Sequence, residues 1–162
     1  MHELKKEFNN LKIHTQYSIC EGAIKIDDLA DYCKKNKIKA IGLADSNNLC
    51  GALEFAEKIS KIGTQPIIGT QINLLYDNII GKVTLYATTE KGYKNLTKLS
   101  SLSYLKDKKT HDPSCNIEDL IANSEDLILL TGNYSNFFGK LFYANKEKIL
   151  NLLIEKFKNT FD

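Results

Sequence analysis

Short apolar runs alternate with amphipathic stretches along most of this 162-residue chain. Apolar runs of this length, bounded by glycine and polar residues, are typical of buried strands. Strands that alternate with helices at this spacing indicate parallel β/α units rather than a helical bundle or a β-sandwich. We therefore predict an α/β fold built on parallel strands. Five strands are predicted, at Leu11 to His14, residues 40–45, from about Ile67, residues 82–88 and residues 126–131.

The stretches between these strands have the periodicity of helices. Ile26, Leu29 and Cys33 recur at the spacing of one helix face, with acidic residues near the start and lysines near the end. A second stretch, GALEFAEKISKIG, ends at Gly63, and glycine is typical of helix C-termini. Further helices are predicted around Leu96 to Leu102, at Ile117 to Ala122 and from Asn136 to Phe161.

The chain is short for a complete barrel of this class. A full (β/α) barrel typically takes about 250 residues, so 162 residues correspond to an open sheet or to a barrel cut short. The sequence ends on KFKNTFD without a closing strand, which favours truncation. No run approaches the roughly 18 apolar residues needed to span a bilayer, so we expect a cytoplasmic protein with no membrane partner.

The cysteines and charged residues argue against several functions. The four cysteines never form a C-x-x-C pair, which argues against a zinc ribbon and a redox motif. All 22 basic residues are lysines, and the net charge is only +2. Because arginine is the preferred bidentate reader of phosphates and guanine edges, the chain is poorly suited to sequence-specific nucleic-acid recognition. Glycine-rich phosphate loops and the G-x-S-x-G hydrolase motif are also absent from the sequence.

The predicted strand ends carry few groups capable of chemistry. Functional side chains in parallel β/α folds collect at the carboxyl ends of the strands. A divalent ion needs about four to six converging ligands, and only one histidine and two acidic residues are near these ends. A solvated histidine and a helix-capping aspartate are simpler alternatives. The residues at these ends are His14, Asp45 with Ser46 and Asn47, Gln71 and Asn133, with Glu21 in the first loop.

Four motifs resemble the start of the PHP (polymerase and histidinol phosphatase) domain, in the branch found at the N-terminus of bacterial replicative DNA polymerase III alpha subunits. They are the Ser-x-x-acid-Gly turn at Ser18 to Gly22, N-L-x-G-A-x-E-F at Asn48 to Phe55, P-I-I-G at Pro66 to Gly69, and E-x-G-Y-x-N-L at Glu90 to Leu96. The likeness covers about residues 11–133. It implies that residues 1–162 are the N-terminal portion of a PHP domain, a distorted (β/α) barrel truncated in this chain.

The resemblance also implies a degenerate metal site. In family members with an intact site the first motif is His-x-His, and here only His14 remains of that pair while the other position is Lys12. The closing Asp-x-His of the family would lie beyond Asp162. We therefore expect neither a catalytic residue nor a bound metal in this segment. The positions implied as vestigial ligands are Lys12, His14, Glu21, Asp45, Ser46, Gln71, Lys82 and Asn133.

The function implied by the resemblance is structural. A non-catalytic PHP segment would brace a replicative DNA polymerase and dock a proofreading exonuclease subunit, alongside other replicase subunits. The parent polymerase would contact DNA and use magnesium in a palm domain outside this segment. The alternative is a metal-dependent phosphoesterase or 3′-5′ exonuclease that works through His14, Glu21 and Asp45. A third reading, a free-standing binding module, would leave an incomplete sheet with an uncovered edge.

Overall fold

A computed structural model of the chain describes residues 8–105 and 112–161. These ranges contain six helices and four strands, and most lie where the sequence predicts them. The elements are α1 (Ile26–Asn36), β1 (Ala40–Ser46), α2 (Ala52–Lys61), β2 (Gln65–Tyr76), β3 (Ile79–Ala87), α3 (Glu90–Leu105), α4 (Ile117–Ala122), β4 (Leu127–Leu130), α5 (Phe137–Tyr143) and α6 (Glu147–Lys158).

The four strands form one sheet in the order β1-β2-β3-β4. Strands β1 and β2 are parallel, whereas β2 with β3 and β3 with β4 are antiparallel. The predicted α/β class is confirmed, and the prediction that all strands are parallel is wrong. Within the described ranges the sheet is open, because β1 and β4 are its two edges. The truncated barrel stays a prediction.

A two-residue turn is the cause of the antiparallel pairing. Asp77 and Asn78 have φ values of 45° and 63°, the positive values that a tight hairpin turn requires at both central positions. A parallel connection needs a dozen or more residues, which this turn does not provide. Residues 65–87 therefore form one hairpin rather than two separate β/α units.

The predicted first strand forms only isolated bridges. Ile13 bridges Leu43 in parallel, and the Ile13 amide donates to the Gly42 carbonyl over 3.2 Å. A Cβ atom at Gly42 would lie 2.3 Å from the Leu11 carbonyl oxygen, so glycine permits this close approach. The segment before α1 thus lies beside β1 and carries Lys12 and His14 to the end of the sheet.

The C-terminal region predicted to be helical consists of two helices, α5 and α6. The chain turns between α5 and α6 at Asn145, which has a φ of 55°. Lys146, at the start of α6, forms an ion pair with Asp77 of the hairpin turn. No helix in residues 8–105 or 112–161 is long and apolar enough to cross a bilayer.

Alternation along β2 and β3 separates a core face from a polar face. Ile72 and Leu74 of β2 lie in one hydrophobic cluster with Val83 and Leu85 of β3, and all four are almost fully buried. Successive side chains of a strand point to opposite faces, so the intervening polar residues share the other face. These are Gln71 paired with Thr84 and Asn73 paired with Lys82.

Candidate functional site

A cleft of about 580 Å³ lies over this polar face. Six of the eight predicted vestigial positions line it, so the structure brings most of them together. The six are Lys12, His14, Glu21, Gln71, Lys82 and Asn133.

Asp45 lies beneath the cleft as a buried anchor for the first loop. Its side chain has no solvent exposure. One carboxylate oxygen accepts hydrogen bonds from the Thr15 amide and the Ser18 hydroxyl, both at 2.6 Å. The other accepts from the Thr15 hydroxyl at 2.7 Å. Both oxygens are therefore engaged by protein donors, and Asp45 fixes residues 15–18 against the end of β1.

Ser46, Glu21 and Lys82 form a polar network across the cleft. The Lys82 ammonium lies 2.5 Å from one oxygen of the Glu21 carboxylate. The Ser46 hydroxyl donates to the other oxygen at 2.5 Å, and Lys82 donates to Ser46 at 3.1 Å. The hydrogen bond from Lys82, followed by that from Ser46, lowers the pKa of Glu21, so its carboxylate is ionised at neutral pH.

His14 is held in its neutral form. Burial, and next the positive charge of Lys12, lowers the pKa of His14 below its ordinary value. Its Nδ1 atom lies 3.4 Å from the hydroxyl oxygen of Ser18, the residue that also binds Asp45. The imidazole is thus neutral at pH 7, in an environment that contains two lysines.

The residues present do not fit a metal ion. Three side chains of ligand type line the cleft: His14, Glu21 and Asp112. Yet across the described residues no three His, Cys, Asp or Glu side chains are grouped so that they could hold one ion. Glu21 already pairs with Lys82, and an ammonium in that place repels a divalent cation.

Several lining residues were missed by the sequence analysis. Asn73 follows Gln71 by two positions, so strict strand alternation could have identified it. The backbone amide of Asn73 donates to the side-chain oxygen of Asn47 at 3.2 Å, and Asn47 is a residue that the sequence analysis did name. Nothing in the local pattern identifies Lys140, which reaches the cleft from α5 and donates to the Ile80 carbonyl at 2.7 Å.

Sequence comparison finds relatives of this chain among proteins named DNA polymerase III subunit alpha. The chain is 38% identical over 157 residues to the DNA polymerase III subunit alpha of Rickettsia felis, which covers 96% of this chain and 13% of that protein. It is 38% identical over 149 residues to the subunit of the same name from Caulobacter vibrioides, covering 86% and 13%. This chain therefore spans about one-eighth of the length of these relatives.

A solved structure and a family match complete the comparison. An amidohydrolase from Chromobacterium violaceum superposes with a TM-score of 0.45 at 14% identity, over 58% of this chain and 34% of that one, an overlap too small to bear on function. The match to the PHP domain covers residues 10–162, which extends beyond the range suggested by the motifs. The chain belongs to the PHP domain family.

Proposed function

We propose that this chain is the N-terminal PHP segment of a DNA polymerase III alpha subunit, the DNA-templated replicative polymerase. The named relatives support this assignment, because they match nearly the whole chain at 38% identity. In the parent protein, nucleotidyl transfer and its magnesium ions would belong to residues outside these 162. A replicase acts on the chromosome, so the proposed location is the cytoplasm.

The segment itself is proposed to be non-catalytic, and the Lys82–Glu21 ion pair is the observation that carries this part. A metal-dependent hydrolase needs carboxylates and imidazoles that are free to bind an ion. Here the Glu21 carboxylate is bound by an ammonium and a hydroxyl. The lysine supplies the positive charge that a metal would otherwise bring, so the first loop can be held to the sheet without an ion.

The phosphoesterase alternative is weakened by Asp45. That hypothesis uses His14, Glu21 and Asp45 as metal ligands. Both oxygens of Asp45 accept hydrogen bonds from the first loop, and its side chain is fully buried. Ligation would require this loop anchor to break, so the geometry favours a structural segment.

Metal content tests the non-catalytic assignment. We expect chain purified without a chelator to contain less than about 0.1 equivalent of zinc, manganese or iron, because structural and catalytic sites of useful affinity copurify with their ion. Elemental analysis by mass spectrometry measures this directly. A stoichiometric metal that is lost in a His14→Ala variant would overturn the assignment, and phosphoesterase assays would follow.

Docking of a proofreading exonuclease subunit is the second part of the proposal. A segment that has lost its own hydrolytic site would leave removal of mismatched nucleotides to a separate enzyme. We expect the chain and the exonuclease subunit of the same cell to elute together in size-exclusion chromatography. Separate elution of the two folded proteins at concentrations well above the micromolar range would contradict the docking role.

A further inference from the structure

Residues 10–15, the N-terminal segment, are joined to β1 by few backbone hydrogen bonds. The Gly42 amide donates to the Asn10 carbonyl at 2.8 Å, and the Ala44 amide donates to the Ile13 carbonyl at 2.9 Å. The third bond runs from the Ile13 amide to Gly42, and the pairing is an isolated bridge rather than a continuous ladder. A segment with so few backbone bonds depends on side chains of other elements for its position.

The N-terminal segment lies between two cavities. Lys12 and His14 line the polar cleft, and they also line a second groove of about 790 Å³. The opposite wall of this second groove includes the apolar parts of α1, among them Leu29 and Tyr32. The position of residues 11–14 therefore sets the shape of both cavities.

Tyr86 reaches this segment from β3, across both β2 and β1. Its hydroxyl donates to the Leu11 carbonyl at 2.7 Å, and only 3% of the residue is exposed. The ring lies against Gly69, its register partner in β2, where a Cβ atom would be 2.4 Å from the ring atom Cδ1. Gly69 in turn pairs with Ala44 of β1. Small residues on the two intervening strands thus leave room for the ring.

The Tyr86 hydroxyl remains a donor throughout the neutral pH range. Burial raises the pKa of Tyr86 to about 12, so the hydroxyl keeps its proton. If the segment moved away, this buried hydroxyl would lose its acceptor. A buried polar group without a partner costs more free energy than an ordinary hydrogen bond contributes, so the contact to Leu11 is strongly favoured.

We propose that Tyr86 is a positioning residue for the cleft, and that its hydrogen bond to Leu11 determines where Lys12 and His14 lie. Tyr86 holds the backbone directly before Lys12, and Asp45 holds it directly after His14. The two cleft residues are therefore fixed at both ends. Without the Tyr86 hydroxyl they would be fixed firmly at one end only. This role does not depend on which parent protein contains the chain.

Amide hydrogen exchange in a Tyr86→Phe variant of the whole chain tests the proposal. The substitution removes the hydroxyl and keeps the ring. The Gly42 and Ala44 amides donate to the N-terminal segment, so NMR should record their exchange about 5-fold or more faster in the variant. The Phe55 amide donates to Gly51 at 2.9 Å at the start of α2, and its exchange should not change.

NMR order parameters of the Lys12 and His14 amides measure the positioning itself. A rigid backbone gives about 0.85, and we expect the Tyr86→Phe variant to fall toward about 0.6, a value typical of flexible segments. The matched control is Tyr76→Phe, which removes a tyrosine hydroxyl at the turn end of the same hairpin. This control should leave the exchange rates and the order parameters unchanged.

Three results would overturn the proposal. Equal acceleration of exchange at Gly42, Ala44 and Phe55 would mean that Tyr86 contributes only to global stability. Unchanged exchange rates and order parameters in Tyr86→Phe would mean that the backbone bonds and Asp45 suffice to hold the segment. Changes of the same size in Tyr76→Phe would attribute the effect to the hairpin as a whole.

Discussion

Replacing Asp45 by alanine is expected to lower the free energy of unfolding by about 3–5 kcal/mol, since it leaves several buried donors without an acceptor. The Thr15 amide, the Thr15 hydroxyl and the Ser18 hydroxyl all donate to this carboxylate. A loss of this size is a large fraction of the stability of an ordinary domain. Urea unfolding followed by circular dichroism measures it.

The matched control for that change is Asp45→Asn. The asparagine oxygen can still accept from the Thr15 amide and the Ser18 hydroxyl, while its NH₂ group meets the Thr15 hydroxyl, which can turn to accept. We expect a loss of about 1–2 kcal/mol, smaller than that of alanine. A loss below about 1 kcal/mol in the alanine variant would mean that the loop does not depend on Asp45.

Replacing Phe137 by alanine should also cost about 3–5 kcal/mol, through lost burial and the cavity that remains. Phe137 is completely buried at the start of α5, and its ring packs edge-on against Phe138. The Phe137 backbone lies so close to Gly81 that a Cβ atom on Gly81 would be 2.4 Å from the Phe137 Cα. Because the two backbones are already in contact, neighbouring groups cannot readily collapse into the cavity that the ring would leave. Differential scanning calorimetry should record a fall in Tm on the order of 10 °C.

Phe142→Ala is the control on the same helix. This ring is 54% exposed, and surface substitutions usually change stability by less than about 0.5 kcal/mol. Similar losses for the two variants would contradict the packing described for α5.

The hairpin is where the sequence analysis was wrong, and its signal was present in the chain. Local periodicity correctly located β1, β4 and the helices, because burial on one face imposes it directly. It cannot give strand direction, which depends on the length and conformation of the connection. The start of the second strand of the hairpin was predicted at Lys82, whereas β3 begins at Ile79. That error concealed the two-residue turn.

The site was predictable only in part. The rule that functional side chains collect at the carboxyl ends of parallel strands correctly predicted that His14 and Gln71 lie in one region. Lys82 reaches the same cleft only because β3 pairs antiparallel with β2, which places Lys82 opposite Asn73. Its position was implied only by resemblance to the PHP family. The buried role of Asp45 could not be predicted, because the three hydrogen bonds come from a loop whose path the sequence pattern does not determine.

The Asp77–Asn78 turn also has a consequence for the order of assembly. Its partners are close along the chain, from Tyr76 with Ile79 at the turn to Gly69 with Tyr86 at the far end. Pairing them closes a short loop and loses little chain entropy, whereas joining Thr84 to Leu130 closes a much longer one. Contacts between distant residues slow folding, so the hairpin is the part of the sheet that can form earliest. The floor of the cleft would then exist before the loops that surround it.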